Sequence, residues 1–133
     1  MKPIALFYNC VAVLGDPPKV LATSSWIVAE QMAQVVESGL LDAAEEFHVG
    51  VNGGPESAAF VAEKIPARAK VTYHGLQSKN ENATIVMVHE FAKSHPGWFI
   101  LYFHSKAISH SPDSDYGRMA NSWRRGMMRD LVL

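Results

Sequence analysis

The sequence predicts an α/β domain, with a mainly parallel four-stranded sheet between helical layers. Three observations predict it. Strand and helix signals alternate along all 133 residues. The run Trp98-Phe99-Ile100-Leu101-Tyr102-Phe103 is apolar without a break, as a parallel strand covered on both faces would be. That run stops abruptly on His104-Ser105-Lys106, which is where an open parallel sheet keeps its ligands.

The first strand is Pro3 to Cys10, leading into a Gly-Asp-Pro-Pro turn at Gly15 to Pro18. A helix follows over Thr23 to Ser38, with Val28, Met32, Val35 and Val36 as its apolar stripe and Gly39 as its stop. Phe47 to Asn52 reads as the second strand, closed by Gly53-Gly54. Pro55 suits a first helical position, and that helix runs through Ala58, Ala59, Val61 and Ala62 to Ile65-Pro66. Ala69 to His74 is the third strand. Ser78-Lys79-Asn80-Glu81 has the spacing of a capping box and opens a helix carrying Ile85, Val88, Phe91 and Ala92. Ser94-His95-Pro96-Gly97 ends it, and Trp98–Phe103 is the fourth strand. After a polar loop, a last helix has Met119, Trp123, Met127 and Leu131 on one stripe.

Four strands with three helices between them imply right-handed crossovers. The order expected is 3-2-1-4, a Rossmann-like three-layer αβα arrangement in one domain over residues 1–133. The order reverses between strands one and four, so the pocket is expected between Tyr8-Asn9-Cys10 and His104-Ser105-Lys106. Trp98–Phe103 is expected to be buried on both faces.

Composition bounds the partners. A net charge of −1 and a pI near 6.6 predict neither a nucleic acid nor an anionic membrane as partner. No apolar run reaches the ~20 residues needed to span a bilayer. Asn9 and the Asp16-Pro17-Pro18-Lys19 turn argue against a signal peptide. The one cysteine, Cys10, cannot form an internal disulfide and suits a reducing compartment, so a cytoplasmic location is expected. The pattern of the last helix is still running at Arg129-Asp130-Leu131-Val132-Leu133. A chain truncated at its carboxyl end is therefore expected. Met127, Met128, Leu131 and Val132 would then be exposed for self-association or for a missing carboxyl-terminal half.

The candidate chemistry follows from position. Lys106 at a strand end can neutralise a phosphate, and His104 can donate a hydrogen bond or shuttle a proton. The competing reading is a solvated lysine and a satisfied core histidine. Asn9, Ser105 and Asn52, the last before Gly53-Gly54, can approach a ligand, although Asn52-Gly53-Gly54 is equally a plain turn. Arg118, Arg125 and Arg129 share one helical face, while Arg124 lies nearer Trp123. Arginines beside a strand-end pocket can grip a diphosphate, and a solvated basic face is the alternative. Trp123 keeps the apolar spacing and is expected in the core, with base stacking the alternative. Asp113-Ser114-Asp115 has the spacing for holding Mg2+ or Mn2+ against phosphates, and equally that of a solvent loop. Glu81 is accounted for by the capping box. No G-x-G-x-x-G, P-loop, H-E-x-x-H or nucleophile motif occurs.

Tyr102-Phe103-His104-Ser105-Lys106 followed by Trp123-Arg124-Arg125 resembles the "Y-[FL]-H-[ST]-K-G … W-R-R-x-M" signature of a group of glycosyltransferase-like proteins. Leu6-Phe7-Tyr8-Asn9, Ser38-Gly39-Leu40, Asn80-Glu81 with Thr84, and Gly97-Trp98 fall in matching order over nearly the whole chain. Ala107 stands where the signature has glycine. The resemblance implies a nucleotide-diphospho-sugar transferase fold of the GT-A kind, of which this chain is the amino-terminal part. It implies a nucleotide diphosphate sugar as ligand and glycosyl transfer to an acceptor as reaction. His104 and Lys106 would be catalytic. Asn9, Asn52, Ser105, Trp123, Arg124 and Arg125 would bind substrate, with or without a metal at Asp113 and Asp115. The alternative is a non-catalytic nucleotide- or protein-binding module left by truncation. Another doubly wound enzyme, such as a small hydrolase, lacks a nucleophile motif here.

Overall fold

The computed structural model describes residues 1–11, 18–53, 57–75, 81–105 and 113–131, with backbone alone at 18–25 and 131. The sheet is β1 (Ile4–Val11), β2 (Glu46–Asn52), β3 (Lys70–Tyr73) and β4 (Phe99–His104). All its pairings are parallel and its order is β3-β2-β1-β4. The helices are α1 (Pro18–Glu37), a single turn α2 (Leu40–Ala43), α3 (Ala58–Lys64), α4 (Asn82–Ser94) and α5 (Asp115–Leu131). This is the three-layer Rossmann-like arrangement expected. Among the described residues no helix is long and apolar enough to cross a membrane.

Alternation along β1 divides the core. Leu6, Tyr8 and Cys10 face α1, α3 and α5, meeting Val28, Met32, Val35, Val61, Ile65 and Met128. Ala5 and Phe7 face α4 and meet Phe91, with Met87, Val88, Trp98 and Ile100 at the margin. The first two crossover helices therefore lie on one face and the third on the other. Right-handed connections demand this once the chain turns back to place β4 beside β1. Phe7 also stacks on His48 of β2, with ring centroids 4.6 Å apart.

Several side-chain expectations are corrected. β4 is an edge strand among the described residues, not one buried on both faces: Phe99 is 59% exposed, and Phe103 is the strand's one fully buried residue. An unbroken apolar run records hydrophobicity, whereas burial needs neighbours on both sides, and β4 is paired along one edge only, with β1. The buried face of α5 is Gly117, Ala120, Arg124 and Met128, rotated from the expected stripe, so that Tyr116, Met119 and Trp123 are exposed. The small residues Gly117 and Ala120 let α5 approach its neighbours closely, and Ala120 packs on Ile27 of α1. Met128 is thus core and Met127 packs against the core, so these two do not form the exposed apolar surface expected of them. The side chains of Leu131 and Val132 lie outside the described residues. In α4 the inward face is Thr84, Met87, Val88 and Phe91, leaving Ile85 exposed, and Val36 of α1 is likewise exposed.

Candidate functional site

The sheet order reverses between β1 and β4, and the carboxyl ends of these strands carry the polar residues picked out by sequence. Asn9 and His104 are register partners across the β1–β4 ladder. Ser105 follows directly and acts as a clip. Its backbone N–H donates to the Asn9 carbonyl at 3.0 Å, and its hydroxyl accepts from the Val11 N–H at 3.1 Å. The same hydroxyl lies 3.3 Å from the Asn9 carbonyl. Ser105 therefore holds the rim of the crevice together. Lys106, next in the chain, lies outside the described residues.

Asn9 is buried and is the hub of a polar network. Its Oδ1 accepts from the Thr84 hydroxyl at 2.7 Å and from Asn52 Nδ2 at 3.4 Å. The Thr84 hydroxyl has one proton and gives it to Asn9, so its 3.1 Å bond to His74 Nε2 has the imidazole as donor. Burial pushes His74 below the usual histidine range. Gly50, opposite Asn9 on β2, makes room for this network. A Cβ there would lie 2.5 Å from His74 Nε2 and 3.1 Å from Thr84 Cβ, and would overlap Thr84 Oγ1.

A second cluster surrounds His104. Its Nδ1 lies 2.6 Å from Glu81 Oε2, and the Tyr102 hydroxyl donates to that same oxygen at 2.6 Å. Burial, and then Glu81, push the Tyr102 phenol well up. On the other side of the sheet the Tyr8 hydroxyl donates to Gln31 Oε1 at 2.8 Å, and Gln31 Nε2 donates to the His104 carbonyl at 3.0 Å. Burial likewise pushes the Tyr8 phenol up. Glu81 stands at the N-cap of α4 and makes no side-chain capping bond. The capping box expected at Ser78–Glu81 falls partly outside the described residues, and the Glu81 carboxylate reaches β4. Ser78 lies outside the described residues.

Arg124 is committed elsewhere. It is 1% exposed, pairs with Glu30 of α1 and donates to Asn121 Oδ1 at 3.2 Å. Arg125 Nε lies 3.4 Å from the other Glu30 oxygen, and both guanidiniums sit over the Trp26 ring. Arg125 remains half-exposed and, with Arg118 and Arg129, lines an open groove of about 610 Å³ along α5. Trp123 is 60% exposed, so its expected place in the core is corrected. Asp113 and Asp115 flank the start of α5. Ser114 caps that helix by accepting the Gly117 N–H at 3.0 Å, and Arg118 holds both the Asp115 carboxylate and the Asp113 carbonyl. Among the described residues no three His, Cys, Asp or Glu side chains are grouped to hold a metal.

Asn9, Asn52, His104 and Ser105 are thus brought together, while Arg124, Arg125 and Trp123 belong to the α1–α5 flank. Glu81, Thr84, His74 and Gln31 are site residues that position alone did not disclose. The available signal was the i, i+3 spacing of Glu81 and Thr84, which places both on the turn of α4 above the strand ends. No protein-family model matches the chain, and no curated protein matches it significantly.

Proposed function

We propose that the crevice beyond β1 and β4 binds a nucleotide diphosphate sugar, and that the chain is a glycosyltransferase-like domain acting on an as yet unidentified acceptor. The observation that carries this reading is the strand-order reversal at Asn9 and His104. The Tyr102–Lys106 and Trp123–Arg125 segments, which resemble the glycosyltransferase-like signature, add to it. Lys106 neutralises the diphosphate and His104 handles hydroxyl protons. Asn9 and Asn52 line the floor, and Ser105 supports them through the backbone. Stabilising a leaving diphosphate is an electrostatic task, so the cation beside the crevice is the essential part.

A cytoplasmic location goes with this reading: Cys10 is a buried thiol, pushed up to about 12 by burial, and is inert. The burial of Arg124 against Glu30 favours a second reading, a non-catalytic nucleotide- or protein-binding module, because it withdraws one expected phosphate ligand. In that case the exposed Tyr116, Met119 and Trp123 are the surface for self-association.

Calorimetry with uridine and guanosine diphosphates tests the nucleotide site, and release of labelled sugar from a bound nucleotide sugar separates the catalytic reading from the non-catalytic one. Lys106→Ala is expected to weaken binding ten- to a hundredfold, as loss of a charge-assisted bond of about 1.5–3 kcal/mol implies. Arg124→Met is expected to leave affinity unchanged. Unchanged affinity in Lys106→Ala would overturn the phosphate role.

A further inference from the structure

His104 is held at both ends. Its carbonyl accepts from Gln31 at 3.0 Å, and its Nδ1 meets Glu81 Oε2 at 2.6 Å. That oxygen also receives the Tyr102 hydroxyl at 2.6 Å. A carboxylate only accepts, so Nδ1 carries the ring proton. In the neutral ring Nε2, on the opposite edge of a side chain that is 26% exposed, then keeps its lone pair, and no partner for it stands among the described residues. The second-site partner of an imidazole fixes which nitrogen is protonated. Among the described residues the groups against the ring are Glu81 at the N-cap of α4 and Tyr102 of β4, with the uncharged Asn9 as register partner on β1. His74, just past β3, is linked to Asn9 through Thr84.

We infer that Glu81 is a positioning residue that makes His104 Nε2 a hydrogen-bond acceptor in the crevice, so that the site reads a ligand hydroxyl at this point and a phosphate elsewhere. The inference rests on the nucleotide-sugar reading and narrows it: the group set against His104 is a ribose or sugar hydroxyl and not a phosphate. Tyr102 keeps Glu81 in place, because a protonated phenol can only donate to the carboxylate in this pairing. Asn9 and Thr84 complete a rim whose polar atoms on this side are held by neutral partners.

Imidazole nitrogen spectra of the intact chain test this with uridine diphosphate, uridine diphosphate glucose and guanosine diphosphate mannose as probes. In its neutral form His104 is expected as the Nδ1–H tautomer. Glu81→Gln, whose amide oxygen accepts the same bond, is expected to keep that signature, while Glu81→Ala loses it to a mixture of tautomers. On saturation with a bound probe, the His104 Nε2 resonance is expected to move as that of a hydrogen-bond acceptor, with Nδ1 unchanged. Diethyl pyrocarbonate, which acylates an unprotonated ring nitrogen, is expected to modify His104, and the bound probe to abolish that modification. A wild-type Nε2–H tautomer, or an unchanged signature in Glu81→Ala, would overturn the positioning role. A bound probe that protonates Nε2 would overturn the hydroxyl assignment in favour of a phosphate. Binding of none of the probes, with the Nδ1–H tautomer intact, would overturn the nucleotide-sugar reading and the hydroxyl assignment with it, while upholding Glu81 as the residue that orients His104.

Discussion

Gly50→Ala adds one methyl group at the point where β2 passes beneath the Asn9 network. The new Cβ would overlap Thr84 Oγ1 and lie 2.5 Å from His74 Nε2. Neither neighbour is the loose end of a long side chain. Thr84 is fully buried and β-branched, and turning its hydroxyl away breaks the 2.7 Å bond to Asn9. Overpacking of this kind costs about 1–3 kcal/mol. Loss of a buried hydrogen bond adds about 1–3 kcal/mol when the partner is left poorly satisfied. The expected destabilisation is therefore about 2–6 kcal/mol. For a chain of this size that corresponds to a fall in Tm on the order of 10 °C. Urea denaturation of Gly50→Ala, Thr84→Ala and the double variant measures it. Thr84→Ala removes the overlapping atom, so the double variant is expected to lose less than the sum of the single losses. A Gly50→Ala midpoint within error of wild type, or strictly additive losses, would refute the reasoning.

The α1–α5 contact, the acid limb of stability and the buried thiol give three further expectations. Glu30→Ala leaves the Arg124 guanidinium buried without its carboxylate and is expected to cost about 3 kcal/mol in urea denaturation, whereas Arg124→Met is expected to be nearly neutral; equal losses would contradict the ion-pair account. Burial lowers His74 in the folded chain, so the unfolded chain binds more protons as pH falls below its ordinary value of about 6.5. Stability should therefore fall with pH from there, and His74→Asn should flatten that slope in urea midpoints compared at neutral and mildly acidic pH. Cys10, with its thiol pushed up to about 12, should resist iodoacetamide in the folded chain and react on unfolding, as read by mass spectrometry.

The strand order was legible because it depends on alternation and handedness, which the chain displays as pattern. The facing of side chains was less so. A heptad-like count on α5 selects Met119 and Trp123 as core, yet the helix buries Gly117, Ala120 and Arg124. Close packing there is achieved by small residues and an ion pair to Glu30, neither of which raises hydropathy. The run at β4 was read as buried because every residue is apolar, but its outer edge has no strand beside it among the described residues. At the site, Asn9 and His104 could be placed by topology alone. Glu81 could not, since its local spacing already offered a capping role, and only tertiary approach of α4 to β4 shows its carboxylate on His104. Gly50 gave no signal in sequence, because the atom it leaves out matters only once Thr84 arrives from another element.

The central claim is that the ligand sits beyond the carboxyl ends of β1 and β4. Backbone amide shifts of the intact chain, followed during titration with uridine diphosphate, locate it directly. The account predicts the largest changes at Asn9, Cys10, Asn52, His104, Ser105 and Lys106, with Thr84 following through its bond to Asn9. Changes confined to Arg118, Arg125 and Arg129 along α5 would contradict it, placing the anion in the helix groove and leaving the strand ends without a nucleotide.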